Sequence, residues 1–190
     1  DFWNAAKPLI DVTEQHPFLV SMVDGTLALE NFRYYVIQDA LYLQDFADCL
    51  CRLGDLAATV TVAQRQQERN KVDAKNGEQE STISTTISHH STRLHKFGES
   101  VKQAEMELHK TFFQQWDISG ADGGVDDQKP NTLLYTSYMK RIVATRPYAE
   151  GLATLLPCFW VYMHVGKCML QLRDKLGDSY VCLEWILVVV

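Results

Sequence analysis

The chain is 190 residues long, with a formal net charge of −6 at pH 7, 46% hydrophobic and 22% charged residues. That length holds one domain with a sizeable core, and the balance is that of a soluble globular protein. A net negative chain without a basic run is excluded as a nucleic-acid binder, which needs clustered Lys and Arg against phosphates; no apolar run reaches the ~20 residues that cross a bilayer.

The first element expected is an amphipathic helix from Asp1 to Gln15, broken at His16-Pro17 because the residue before a proline leaves the α region. His16 reads as a capping or packing residue rather than a ligand. A short helix follows to Val23, then a turn at Asp24-Gly25-Thr26 in which Thr26 is the expected N-cap, with Glu30 in the first turn of the next helix. That helix is expected from Leu27 to Leu53, with Arg52 and Gly54 as its stop signals.

Residues 64–96 are polar with few large apolar anchors, the composition of a partly disordered connection or a solvated helix within a single domain spanning 1–190. His89, His90 and His95 lie inside it without a cysteine or carboxylate at ligand spacing, so surface histidines are expected rather than metal ligands, and the chain is expected to hold no metal. A helix resumes with Val101, Glu105, Leu108, Phe112 and Trp116 on the helical period, and a Gly- and Asp-rich loop runs from Ser119 to Asn131. Asn131 or Thr132 is expected to cap a helix to Thr145, closed by Arg146-Pro147. A last long helix runs from Tyr148 to Lys175 with Pro157 inside it, where a hydrogen bond is lost and the helix bends. No strand alternation occurs, and the fold class read from the pattern is all-α.

Five cysteines, at 49, 51, 158, 168 and 182, with no Cys-x-x-Cys and no signal peptide at the start, are expected to be free thiols in a reducing cytoplasm. Cys49 and Cys51 point about 200° apart on a helix, which excludes a shared ligand or bond.

Two constellations carry possible chemistry. Tyr35, Asp39, Tyr42 and Phe46 share one helical stripe. A carboxylate among aromatic rings needs a partner, either a resident hydroxyl or the amine and ring nitrogen of a ligand. Cys158, Tyr162 and Val165 share a face of the last helix, with Tyr135 and Tyr138 on the helix before. A lone cysteine in such a face is commonly an inert apolar residue; a thiol, a carboxylate and aromatic walls together would suit a flat, nitrogen-rich ring. Glu105 and His109 are four apart, whereas di-iron bundles use Glu-x-x-His, a spacing absent here.

The segments "HPFLVSMVDGTLALENFRYYVIQDALYLQDFA" at 16–47, "EMELHKTFF" at 105–113, "YTSYMKRI" at 135–142 and "LLPCFWVYMHVGKCML" at 155–170 resemble the TenA family, the thiaminase II enzymes. The resemblance covers nearly the whole chain. It implies a haem-oxygenase-like helical bundle, assembled as a homo-oligomer (tetramer or dimer), without a cofactor. The activity implied is hydrolysis of thiamin, or of an aminomethyl-aminopyrimidine in salvage, to the hydroxymethylpyrimidine. Carried onto matching positions, it makes Cys158 the nucleophile that adds to the pyrimidine and Asp39 the residue that holds the ring's amino group and a ring nitrogen. Tyr42, Tyr135 and Tyr162 would stack on the ring or hydrogen-bond the substrate and the thiol. Family members continue past the position of Trp185-Ile186 into a Tyr-Gly motif and a helix with a catalytic glutamate, which has no counterpart before Val190, and His164 stands at a position often held by glutamate. The resemblance therefore leaves His164, Glu184, water or a partner chain to handle the proton, or else a degenerate member that binds a pyrimidine or a protein partner without turnover.

Overall fold

The computed structural model describes residues 2–70, 77–116 and 127–176, and every element among them is helical. In chain order these are α1 (Phe2–Glu14), α2 (Pro17–Asp24), α3 (Leu29–Asn70) and α4 (Gly77–Ser100), a π-helical turn at Val101–Glu105, then α5 (Met106–Gln115), α6 (Pro130–Thr145) and α7 (Tyr148–Leu176). They fall into two compact units, one made of residues 1–36 and 156–190, the other of 37–155.

In the first unit, α1 and α2 pack with the opening turns of α3 and the second half of α7, burying Ile10, Met22, Val23, Phe32, Val165 and Met169. His16 caps α2 as the sequence suggests, its Nδ1 accepting the Phe18 N–H at 3.2 Å, and Pro17 takes the first helical position, where its missing N–H is harmless. Gly25 ends α2 in the left-handed region, φ 77°. Thr26 is not the N-cap of α3. Asp24 Oδ1 accepts from both the Thr26 N–H and its hydroxyl, at 2.9 and 2.6 Å. Those bonds hold Thr26 in the turn, and α3 starts at Leu29 from the carbonyl of Ala28.

In the second unit Phe46, Ala47, Leu50, Leu53 and Ala57 form the buried stripe of α3, against Leu94, Phe112, Met139, Val143 and Leu155. Gly54 does not stop the helix, which runs sixteen residues further to Asn70. The glycine is there for a close approach. A Cβ on Gly54 would lie 2.8 Å from His95 Cδ2, and one on Gly98 of α4 would lie 2.7 Å from Cys51 Sγ and 3.0 Å from the Ala47 carbonyl oxygen. Lys102, in the π turn, reaches back to Asp48 at 2.7 Å. Within the polar stretch, residues 64–70 and 77–96 are helical, and 71–76 lie outside the described residues.

The start of α6 also differs from expectation. Neither Asn131 nor Thr132 caps it; Pro130 is its first residue and Lys129 the N-cap, with no side-chain capping bond. The Lys129 N–H instead donates to Gln38 Oε1 at 2.8 Å, while Gln38 Nε2 donates to the Asp127 carbonyl at 3.2 Å. Gln128 completes the strap: its Nε2 donates to the Leu41 carbonyl and to Asp45 Oδ2, and its Oε1 accepts from the buried Thr136 hydroxyl. The segment before α6 is thereby bound to α3 through side-chain amides, and Gln38 takes up the Lys129 N–H, one of the donors a helix start leaves over. The rest of the expected 119–131 loop, through residue 126, lies outside the described residues.

Candidate active-site residues

The Gln38–Gln128 strap brings two of the sequence-predicted residues together. Tyr42 of α3 and Tyr135 of α6 stack with centroids 5.8 Å apart and planes 16° from parallel, and Phe46 extends the stack from Tyr42 at 5.5 Å. Tyr135 donates its phenol to the Thr154 carbonyl at 3.4 Å. Asp39 lies one turn before Tyr42 on α3 and is buried, only 6% exposed. A carboxylate at that depth is valuable to a ligand that can present N–H donors to it, because the bond forms away from competing water.

The other two predicted residues belong to the first unit. Cys158 is a half-buried thiol on α7 outside any disulfide, and Tyr162 follows one turn later. Tyr162 lines a cleft of about 240 Å³ together with His16, Phe18, Tyr35 and Val165. Phe18 and Tyr35 meet at 5.2 Å, so aromatic rings form the cleft's walls. His16 supplies a polar group: with Nδ1 engaged in the cap, its Nε2 carries the proton of the neutral ring and can donate. Sequence reading gave His16 its capping role and missed its place on this cleft. Proximity to the His-Pro break was the available signal.

A third group, also in the first unit, joins residues of α1 and α7. His164 Nε2 lies 2.5 Å from Glu14 Oε1 and 3.6 Å from Cys168 Sγ. The Trp3 indole meets the imidazole edge-on at 4.9 Å, 73° between planes. Burial, with the Glu14 carboxylate as the lesser cause, pushes the Cys168 thiol above its ordinary value. His164 is thus tied to Glu14, while Glu184 lies outside the described residues. None of the four described cysteines is in a disulfide. Among the described residues no helix is long and apolar enough to cross a membrane.

The model of the TENA/THI-4/PQQC family matches residues 3–186 of the chain. The aminopyrimidine aminohydrolase of Bacillus subtilis is 32% identical over 156 residues, which are 82% of this chain and 54% of that protein. That of Halalkalibacterium halodurans is 29% identical over 164 residues, covering 86% of this chain and 61% of that protein. The chain thus spans a little over half the length of these curated relatives. Among solved structures, a TenA homologue protein from P. horikoshii OT3 superposes with a TM-score of 0.65 at 19% identity, covering 98% of this chain and 81% of that one. At that identity the likeness establishes the shared helical fold.

Proposed function

The chain belongs to the TENA/THI-4/PQQC family, and from that premise we propose that it is a thiaminase II-type hydrolase of thiamin metabolism. Its substrate would be thiamin or an aminomethyl-aminopyrimidine, and its product the hydroxymethylpyrimidine. The observation that carries the reading is the half-buried Cys158 thiol one helical turn before Tyr162, whose ring lines an aromatic cleft.

In this reading the Cys158 sulfur, as thiolate, adds to an electron-poor pyrimidine carbon. The amine or thiazolium leaves from the exocyclic methylene, and water then takes its place as the sulfur is expelled. The family resemblance gives Asp39 the ring's amino group and a ring nitrogen, from which its carboxylate would accept charge-assisted hydrogen bonds. The half-buried Tyr135 ring, backed by Tyr42, and the Tyr162 ring in the aromatic cleft are flat apolar surfaces of the kind a pyrimidine stacks on. His16 Nε2–H is a donor on the cleft wall.

Two further assignments accompany the reading. Exposed apolar residues on α7, Leu156, Phe159 and Met163, recur at three and four residues and support a homo-oligomer in which a second copy covers that face. The four cysteines among the described residues, none in a disulfide, support a reducing, cytoplasmic location.

Calorimetric titration of the full chain with the aminomethyl-aminopyrimidine tests the assignment of Asp39. Asp39→Asn is expected to weaken binding about 10- to 100-fold, the loss of one or two charge-assisted hydrogen bonds. Equal affinity in a folded variant would remove Asp39 from the reading.

A further inference from the structure

We propose that Glu14, His164 and Cys168 form a binding site for one divalent metal ion of the zinc class, joining α1 to the second half of α7. The three donors are an oxygen, an imidazole nitrogen and a sulfur, the set that zinc and its neighbours take in proteins. Their ligand atoms all lie within 4.8 Å of one another.

The geometry favours a metal over a catalytic relay. In a Cys-His-carboxylate relay the thiol faces one ring nitrogen and the carboxylate orients the ring through the other. Here both Glu14 Oε1 and Cys168 Sγ face the same atom, His164 Nε2, at 2.5 and 3.6 Å. An oxygen, a nitrogen and a sulfur donor this close together suit coordination of one ion. With bonds of about 2.3 Å to sulfur and about 2.0 Å to nitrogen, a tetrahedral ion sets the S···N edge at about 3.6 Å. That edge is already in place. The N···O edge would need to open to about 3.3 Å, a small rotation of the Glu14 side chain, which is 34% exposed and has room to move.

Two features complete the site. Cys168 and its i−4 neighbour His164 share one face of α7, and the edge-on Trp3 ring fixes the imidazole plane. Glu14 and Cys168 also line a cleft of about 210 Å³ with Gln171 and Lys175 on its wall. The cleft provides an entry path and room for a fourth ligand, and Lys175 favours an anionic one. Three protein ligands with one position open is the arrangement of a reactive zinc site rather than a closed structural one.

The test uses the full chain freed of metal with a chelator, titrated with Zn²⁺ by calorimetry and with Co²⁺ by absorption. The expected result is one ion per chain and a thiolate-to-cobalt charge-transfer band. Cys168→Ser should abolish the band, whereas Cys158→Ser should keep it. His164→Ala and Glu14→Ala should each weaken Zn²⁺ binding at least about 10- to 100-fold, the range seen even when a ligand's hydrogen-bond partner is lost. Absence of Zn²⁺ binding and of the cobalt band in the wild-type protein would overturn the proposal without recourse to variants. A band that survives in Cys168→Ser would overturn it as well.

Discussion

Tyr42 and Tyr135 stack nearly parallel, and the segment that delivers Tyr135 is tied to α3 by two glutamine side chains, Gln38 and Gln128. The aromatic faces assigned to a pyrimidine are therefore held by amide hydrogen bonds placed beside the stack. Positioning and stability are coupled at this point in the fold.

Removing the strap should loosen the second unit. Gln128→Ala leaves the Thr136 hydroxyl with only its long, 3.4 Å bond to the Leu133 carbonyl and Asp45 without one donor, and is expected to cost about 1–3 kcal/mol. Tyr42→Ala, at a side chain only 8% exposed, should cost about 3–5 kcal/mol. A double-mutant cycle between Tyr42 and Tyr135 should return about 0.5–1.5 kcal/mol for the ring pair. Urea denaturation at pH 7 measures all three, and a cycle energy of zero would deny the stack an energetic role.

The two helical glycines should respond differently to a methyl group. At Gly98 the new Cβ meets the Ala47 backbone oxygen and the Cys51 sulfur, which have little freedom to withdraw. Gly98→Ala is expected to destabilise by about 1–3 kcal/mol despite alanine's better helix propensity. At Gly54 the nearest atoms belong to the partly exposed His95 ring, which bonds Asp55 at 3.1 Å and can swing outward. Gly54→Ala should therefore be the milder change, and thermal melts that rank the two in the opposite order would contradict this packing.

Alkali should destabilise the protein through Cys49. Burial, with the nearby Asp45 carboxylate second, raises this thiol to about 11 from 9.0. A raised value means the folded state favours the protonated form. The associated stability is complete below about pH 9 and is lost as pH rises toward about 11, a total of no more than about 3 kcal/mol. Denaturant midpoints followed from pH 8 to 11 should fall in wild type and fall less in Cys49→Ala.

Thiol alkylation separates the cysteines by their roles. At neutral pH Cys49 should resist an iodoacetamide reagent and the half-buried Cys158 should react. Saturating aminomethyl-aminopyrimidine should slow labelling of Cys158 at least tenfold while leaving Cys51 unchanged, read residue by residue after digestion and mass analysis. Protection of neither thiol would speak against a pyrimidine at Cys158.

Much of the fold was legible because the helical period and its punctuation are local. Pro17, Gly25 and Pro147 mark helix ends where the sequence places them, and α7 spans the expected range despite Pro157. Gly54 misled because a glycine that stops a helix and one that admits a neighbouring helix look alike in one dimension; the residues that approach it, Ser91 and His95, belong to another helix. The cap of α6 misled for a related reason, since its N-cap N–H is satisfied by Gln38, a residue of another helix.

The candidate residues divide along the same line. Cys158 and Tyr162 are one turn apart, a spacing visible in any helical segment. The Tyr42–Tyr135 stack spans two helices and could not be read from spacing; the family resemblance gave the two residues ligand roles, not contact with each other. Glu14 and His164 are separated by 150 positions, and of their cluster only the His164–Cys168 interval could be read from the chain.

The central claim is hydrolysis at Cys158, and the most direct measurement is product formation. The full chain and its Cys158→Ser variant are incubated separately with thiamin and with the aminomethyl-aminopyrimidine, and hydroxymethylpyrimidine is followed by chromatography. The account predicts product from at least one substrate and a loss of about 10²-fold or more in the variant. No product from either substrate, or product formed equally by Cys158→Ser, would contradict it.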